Sequence, residues 1–315
     1  MLPVQNSSSK SLTVSAHNPM TGPRHLGQWA STVLDWPQYQ DNLVVVVDDV
    51  IGAILYPGAR QSLEARSLFT MREFMVSNFD VIGTRFVLTS MIPELFELSF
   101  YASMVCDQDL VATLYEQTFP AIIGPVRRKE MGLGVTPSAA ELNYPQIGLA
   151  SLVIGLGASF LQGGEEMAGY VPCFEMICSR LPAEMGSQPK YLPARFPFVL
   201  GTDGEHMGDH NAVYISSPER DVESALRGCR SPAALEQWGA IFECEDSLDP
   251  SSASERLRRT HLVETVIERF RPYRECALSK GEVVERLELD AWWARERLSH
   301  FLDALKSVFL MPGHG

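Results

Sequence analysis

Lysine is scarce in this chain. It occurs only at Lys10, Lys129, Lys190, Lys280 and Lys306, within 26 Lys plus Arg against 39 Asp plus Glu. The resulting net charge of −13 excludes a general nucleic-acid or membrane-surface binder, since both need a positive footprint; a local basic stripe stays open. Long apolar runs are missing too. None reaches the roughly 20 residues of a membrane-spanning helix, so no membrane partner is expected. Residues 1–12, MLPVQNSSSKSL, lack the basic start and apolar middle of a signal peptide. They read as a disordered tail, and the expected location is cytoplasmic. The six cysteines, Cys106, Cys173, Cys178, Cys229, Cys244 and Cys276, contain no Cys-x-x-Cys pair. Cys173 and Cys178 lie five apart on an expected helix and read as core thiols rather than a metal or redox pair.

What is present is an ordinary globular composition, 45% hydrophobic and 21% charged over 315 residues, enough for one large domain or two modest ones. LTVSAH reads as a strand, followed by a Gly/Pro turn and a helix from about Leu26 to Trp36. NLVVVVDDVIGAIL, a strongly β-branched apolar run ending in acids, has the pattern of a buried parallel strand. GARQSLEARSLFTMREFMVSNF reads as an amphipathic helix and TRFVLTS as a second buried strand. PELFELSFYASMVC, DLVATLYEQTF and the small-residue run around PQIGLASLVIGLG read as helices. ASFLQGG is a further strand and turn, and GYVPCFEMICSRL a helix that tolerates Pro172 only in its first turn. ARFPFVLGT and AVYISS read as short extended pieces. Strands alternating with helices predict an α/β fold with a parallel sheet covered on both faces. From Pro218 the pattern is purely helical, beginning with a Ser cap and Pro at the first helical position. The expected organisation is a catalytic α/β domain over 13–216, with a helical insertion at about 92–140, and a helical domain over 217–315.

Two Gly-rich loops carry the chemistry. PMTGPRHLGQW lies after the first strand and opens a helix, the place where an α/β fold binds phosphate; alone, it is equally well a turn with a chance His. GTDGEHMGDHNAVYIS, residues 201–216, has the layout of a phosphate loop but no Lys or Arg, only His206, Asp209 and His210. A His206–Asp209–His210 metal site is weak on an i,i+4 His pair in a loop, and no metal is expected.

TGPRHLGQW, VVVVDDVIGAIL, TSMIPELFELSFYAS, NYPQIGLA, QGGEEMAGY and GTDGEHMGDHNAVYIS occur in that order. This series resembles the class I aminoacyl-tRNA synthetases, in the tryptophanyl and tyrosyl branch and nearer the tryptophanyl enzyme. TGPRHLGQ resembles the family's Thr-Gly-x-x-His-Leu-Gly-Asn form of its HIGH motif, SMIPELFEL its Ser-x-Val-Pro-Glu segment, and GGEE its Gly-Glu-Asp-Gln run. ARERLSHFLDALKSVFL resembles its last helix. The resemblance covers about residues 13–310.

It implies a Rossmann-type nucleotide-binding domain, ATP with Mg²⁺ as cofactor, an amino acid as substrate, tRNA or aminoacyl-tRNA as partner, and a homodimer joined through the region around 90–130. It places Thr21, Gly22, His25, Gly27, Gln28, Gly164, Glu166 and Met207 against ATP. Asp49, Tyr144, Gly148, Ser151 and Met167 fall at the amino-acid pocket, and His25, His206 and His210 are the catalytic candidates. The departures cluster. Loop 201–216 stands where the family carries Lys-Met-Ser-Lys-Ser, but keeps only Met207 and Asn211-Ala212. Removing single transition-state donors costs about 2.7–4 kcal/mol each, so two missing cations count heavily, and protonated His206 or His210 compensates only in part. Ser151 stands where the tryptophanyl enzymes have an Asp, and Met167 where they have a Gln.

The resemblance therefore implies a synthetase-like paralog repurposed for amino-acid or aminoacyl activation or transfer, with amide formation as one outcome. A divergent or inhibitor-resistant tryptophan–tRNA ligase is the alternative, and a non-catalytic binding module on the same fold is the third. The arginines of the C-terminal half, Arg256, Arg258, Arg259, Arg269, Arg271 and Arg274, are interleaved with Glu and read better as an ion-paired solvated face than as a phosphate-binding surface.

Overall fold

The structure is a computed structural model that describes residues 11–21, 23–39, 42–77, 83–118, 128–129, 133–134, 136–182, 185, 188–208, 210–243, 252–275 and 278–310. The tail expected over 1–12 falls almost wholly outside these. Among the described residues, five strands form one parallel sheet: β1 Thr13–His17, β2 Leu43–Val47, β3 Arg85–Leu88, β4 Phe160–Gly163 and β5 Lys190–Pro193. Their order is β3-β2-β1-β4-β5, with Thr13 opposite Leu43 on one side and Phe160 on the other. The order reverses between β1 and β4. At such a switch point the loops leaving two neighbouring strands part to opposite faces and open a crevice for ligand.

The sheet is buried because its strands are apolar on both faces. Val44 and Val46 enter one core with Leu95, Leu152 and Phe174, while Val45 and Val47 enter the other with Trp36, Phe74 and Trp238. This is the period-two alternation of a strand with helices on each side. Among the described residues the helices in chain order are α1 Leu26–Ala30, α2 Asp49–Leu55, α3 Arg60–Ser77, α4 Pro93–Ser103, α5 Gln108–Thr118, α6 Ala139–Asn143, α7 Leu149–Gly155 and α8 Val171–Cys178, then α9 Glu219–Gly228, α10 Pro232–Ile241, α11 Ser252–Arg269, α12 Arg271–Glu275 and α13 Lys280–Leu310. Wider π-helical turns over Tyr144–Gly148 join α6 to α7.

Three local readings are corrected. The helix expected from Leu26 to Trp36 stops at Ala30 and resumes as 3₁₀ turns over Val33–Tyr39. The Ser31 and Thr32 hydroxyls donate to Gln28 O at 3.3 and 2.6 Å, drawing off a carbonyl that the next helical turn needs. AVYISS is not a strand; it contributes one antiparallel bridge, His25 to Tyr214. Pro218 is itself the cap of α9, and no side chain caps that end.

The C-terminal helices close both cores. α13 supplies Leu287 to one and Leu298 and Leu302 to the other. Between them, fully buried Asp290 accepts from the Phe86 N–H at 2.9 Å and from Arg85 and Arg286 at 3.2 and 2.7 Å, tying α13 to the edge of β3. Trp292 is exposed, whereas its neighbour Trp293 lies between the Arg85 and Arg297 guanidiniums at 4.4 and 5.1 Å. Among the described residues no helix is long and apolar enough to cross a membrane.

Candidate functional site

The site is built from loops at the carboxyl ends of β1, β2 and β4, joined by loop 201–211. After β1, His25 caps α1. Its Nδ1 accepts from the Gln28 N–H, and the Gln28 side chain accepts from the His25 N–H, each at 3.3 Å. This reciprocal capping box satisfies two helix-end donors. It also fixes the tautomer: with Nδ1 accepting, the neutral ring carries its proton on Nε2 and presents a donor. Gly27 sits in a tight notch. A Cβ there would lie 3.1 Å from the His25 ring and 3.3 Å from Met207 Cβ, and the Gly27 N–H meets Met207 Sδ at 3.2 Å. His25, Gly27, Gln28 and Met207 are thus brought together. Thr21 ends the 3₁₀ turn Pro19–Thr21 ahead of them, and Gly22 lies outside the described residues.

After β2 come two adjacent acids with different roles. Buried Asp48 caps α2, accepting the Ile51 N–H at 3.0 Å, and also accepts the Tyr144 hydroxyl at 3.3 Å. Asp49 instead binds Ser90, through its N–H at 2.9 Å and its hydroxyl at 2.5 Å, and lines a cleft with Arg60 and Met91. The Thr89 hydroxyl lies 2.8 Å from Asp48 and 3.0 Å from Asp49. The hydroxyl is shared between the two carboxylates as a three-centre donor. Burial, opposed by the Ile51 and Thr89 hydrogen bonds, raises Asp48 to about 6. The Tyr144 ring packs over Gly148, where a Cβ would stand 2.8 Å from it. One turn on, Ser151 is buried, its hydroxyl has no hydrogen-bond partner, and it faces a small apolar cavity with Leu98, Ala102 and Ile177.

After β4, Gly163 and Gly164 pack under Met167 and the Glu166 carboxylate. Glu166 is exposed as a residue, yet desolvation of its carboxyl raises it, opposed by a hydrogen bond from its own backbone N–H and then by His206. Tyr191 of β5 donates to Gly164 O at 2.9 Å and fixes that turn.

Loop 201–211 is folded onto itself. Asn211, nearly fully buried, accepts the Gly208 N–H at 2.7 Å and donates to Asp203 at 2.6 Å and to His206 O at 3.2 Å. The exposed His206 ring stacks on exposed Phe198 with centroids 4.5 Å apart. His210 lies 3.5 Å from Asp203, pointing to a loop partner rather than to His25. Asp209 lies outside the described residues.

Two contributors went unread in the sequence. Asp48 rather than Asp49 holds Tyr144, and Asp as helix cap after an apolar strand was the available signal. Glu73 on α3 accepts the Arg24 N–H at 3.2 Å, anchoring the turn before His25; α3 buries Ser67, Thr70 and Glu73 beside its apolar residues, so the amphipathic pattern expected of it does not mark that glutamate.

No family model matches the chain. Among solved structures it is similar to the tryptophanyl-tRNA synthetase of Campylobacter jejuni complexed with ADP and tryptophan, with 17% identity over 95% of this chain and 99% of that one and a TM-score of 0.73. The tryptophanyl-tRNA synthetase of Mycoplasma pneumoniae gives 13% identity over 96% and 98% at 0.76. The tyrosyl-tRNA synthetase of Archaeoglobus fulgidus complexed with L-tyrosine gives 17% over 93% and 91% at 0.60. The fold is that of the tryptophanyl and tyrosyl class I synthetases, over nearly the whole chain.

Proposed function

We propose that this protein is a cytoplasmic, homodimeric synthetase-fold enzyme that binds an aminoacyl group attached to an adenosine and transfers it to an amine, forming an amide, instead of charging tRNA from ATP. The observation carrying this reading is the contrast between two halves of one site. The His25–Gly27–Gln28–Met207 cradle suits a nucleoside: Gly27 lets the His25 ring and Met207 close together over its backbone, and His25 offers an Nε2 donor. The phosphate side does not suit ATP or its Mg²⁺. Loop 201–211 contains no Lys or Arg, its two imidazoles are engaged with Phe198 and Asp203, and its acids repel a departing pyrophosphate. An aminoacyl ester on the terminal adenosine of tRNA needs no pyrophosphate to leave, so the missing cations are no handicap.

In the proposed transfer the amine nitrogen attacks the ester carbonyl, the carbon–oxygen bond to the ribose breaks, and the proton lost by the amine goes to the departing hydroxyl oxygen. The His25 Nε2–H donates to the oxygen on which charge develops. Tyr144, Gly148, Ser151 and Met167 border the aminoacyl side chain, and Glu166 the ribose. Structures of this fold holding ADP with tryptophan, or L-tyrosine, support an amino-acid side chain in the pocket.

The test supplies purified protein with ATP and the twenty amino acids, with and without total tRNA, and separately with preformed aminoacyl-tRNA and a small primary amine. The expected result is no amino-acid-dependent AMP, together with amide formation from aminoacyl-tRNA that His25→Ala lowers by about 10²-fold, the scale of one transition-state donor. AMP formation dependent on one amino acid and on tRNA would overturn the reading in favour of a divergent ligase. Ligand-induced stabilisation without turnover of either kind would favour a binding module.

A further inference from the structure

The segment that closes the His25 cradle has an outward side that the cradle does not use. Residues 198–200 and 205–207 run antiparallel as a short ribbon. The Met207 N–H donates to Val199 O at 2.8 Å, the Gly201 N–H donates to Glu205 O at 2.7 Å, and Leu200 pairs with His206. Neighbouring side chains on extended backbone point to opposite sides. Val199 and Met207 turn inward and are buried, Met207 reaching the Gly27 N–H. Phe198 and His206 turn outward. Phe198 is 47% exposed, His206 is exposed too, and their rings stack 19° from parallel with centroids 4.5 Å apart.

The ribbon is pinned from behind by α10. The Gln237 side chain accepts the Leu200 N–H and donates to Phe198 O, each at 2.8 Å. The indole N–H of fully buried Trp238 donates to Leu200 O at 2.9 Å. The outer pair therefore stands on fixed backbone. Each ring covers one face of the other and leaves its own outer face to solvent. A flat aromatic ligand gains stacking on such a face and needs no charge to do so. A phosphate gains nothing there, because residues 198–211 contain no Lys or Arg. Position narrows the ligand further. His206 directly precedes Met207, which touches Gly27, and its charge reaches Glu166 after β4. The pair thus borders the mouth of the site, within the span of the nucleotides next to one held in the cradle.

We propose that Phe198 and His206 form a stacking platform for a nucleobase in the single-stranded 3′ end of an RNA whose terminal adenosine lies in the His25 cradle. The inference rests on the transfer reading for that adenosine and adds that the substrate is gripped as a polynucleotide end, by ring stacking, and not as an isolated aminoacyl-adenosine.

Isothermal titration of the full chain compares adenosine with the trinucleotide CCA, the 3′ sequence common to tRNAs, and with an abasic analogue that keeps the CCA backbone and its terminal adenosine. CCA is expected to bind at least about fivefold more tightly than adenosine, the low end of what stacking one base on an aromatic side chain contributes. The abasic analogue should lack that gain. Replacing both rings, Phe198→Leu with His206→Ala, should bring CCA to within about twofold of adenosine, whereas Phe198→Tyr, which keeps a ring, should retain the gain. Both positions are exposed, and cooperative melting checks that each variant folds. CCA binding no more tightly than adenosine, an abasic analogue binding as tightly as CCA, or a gain that survives loss of both rings would each overturn the platform. The titration contains no aminoacyl group and no amine, so amide formation can fail while the platform stands, and adenosine binding with no gain for CCA sinks the platform alone.

Discussion

Asn211 closes loop 201–211 much as a crosslink would. Its side chain makes three hydrogen bonds, to Gly208, Asp203 and His206, and its carbonyl accepts the Thr202 N–H at 3.0 Å. Asn211 itself is nearly fully buried, whereas its partners Asp203 and His206 are exposed, so removing the amide returns those groups largely to water. Asn211→Ala is expected to cost about 1–1.5 kcal/mol, on the scale of a net hydrogen-bond contribution. It should also make the chain cleavable within 201–211 by a protease that spares the native protein. Denaturant melts and limited proteolysis measure the two effects. A variant within about 0.5 kcal/mol of wild type and equally resistant to cleavage would show that the loop is held by something other than Asn211. The same reasoning bears on the missing lysines: a loop fixed this way presents Phe198 and His206 as a flat stacked pair, a surface suited to a base or aromatic ring rather than to a phosphate.

At the scale of elements, α4 carries two faces with different fates. Leu95, Leu98 and Ala102 are buried in the core, while Phe96, Phe100 and Met104 at its end form an exposed stripe at 47%, 60% and 56%. A stripe of two Phe and a Met at helical spacing suits burial against a second copy, the arrangement proposed above for the homodimer. Light scattering should give a mass about twice the 35.0 kDa of the chain, and Phe100→Glu should return it to the monomer without lowering the melting temperature by more than about 2 °C, as for a surface substitution. A wild-type monomer at micromolar concentration would sink the proposal. The elements also show what could be read beforehand. Leu43–Val47 was legible because a five-residue apolar run fits a strand buried on both faces. β5 was not: Lys190–Pro193 is an edge strand, exposed or half-buried at every residue, and takes its form from pairing with β4 rather than from an apolar pattern. At Gly27 the sequence marked a close approach, and the neighbours there are the His25 ring and Met207. The candidate site was illegible where adjacent identical residues diverge, as at Asp48 and Asp49, because side-chain direction there depends on partners at Thr89, Ser90 and Tyr144, far away in sequence.

For the whole molecule, the buried acids make stability depend on pH in a direction that can be worked out. Burial raises Glu73 from 4.5 to about 7, Arg24 opposing, and Asp48 from 3.8 to about 6. A carboxyl whose folded value is raised binds its proton more tightly in the folded state. Its contribution is therefore complete below the unfolded value and is lost as pH rises through the folded one. His17, half-buried between Trp36 and Phe74, acts in the opposite sense. Burial, with the Arg24 charge adding to it, holds His17 well below 6.5, so its contribution is present at higher pH and is lost as pH falls below the ordinary histidine value. A melting curve of wild type alone mixes these opposing slopes; the difference between wild type and Glu73→Gln isolates one. Gln keeps an oxygen to accept the Arg24 N–H and never ionises. At about 1.4 kcal/mol per tenfold in proton affinity, the rise from 4.5 to about 7 is worth about 3 kcal/mol. Glu73→Gln is therefore expected to match wild type near pH 4 and to gain on it steadily up to pH 8, becoming the more stable protein by a few kcal/mol. Denaturant melts at half-unit pH steps measure this directly. A difference that stays constant from pH 4 to pH 8 would mean that Glu73 titrates alike in the folded and unfolded chains, and that its place behind the His25 turn carries no charge strain.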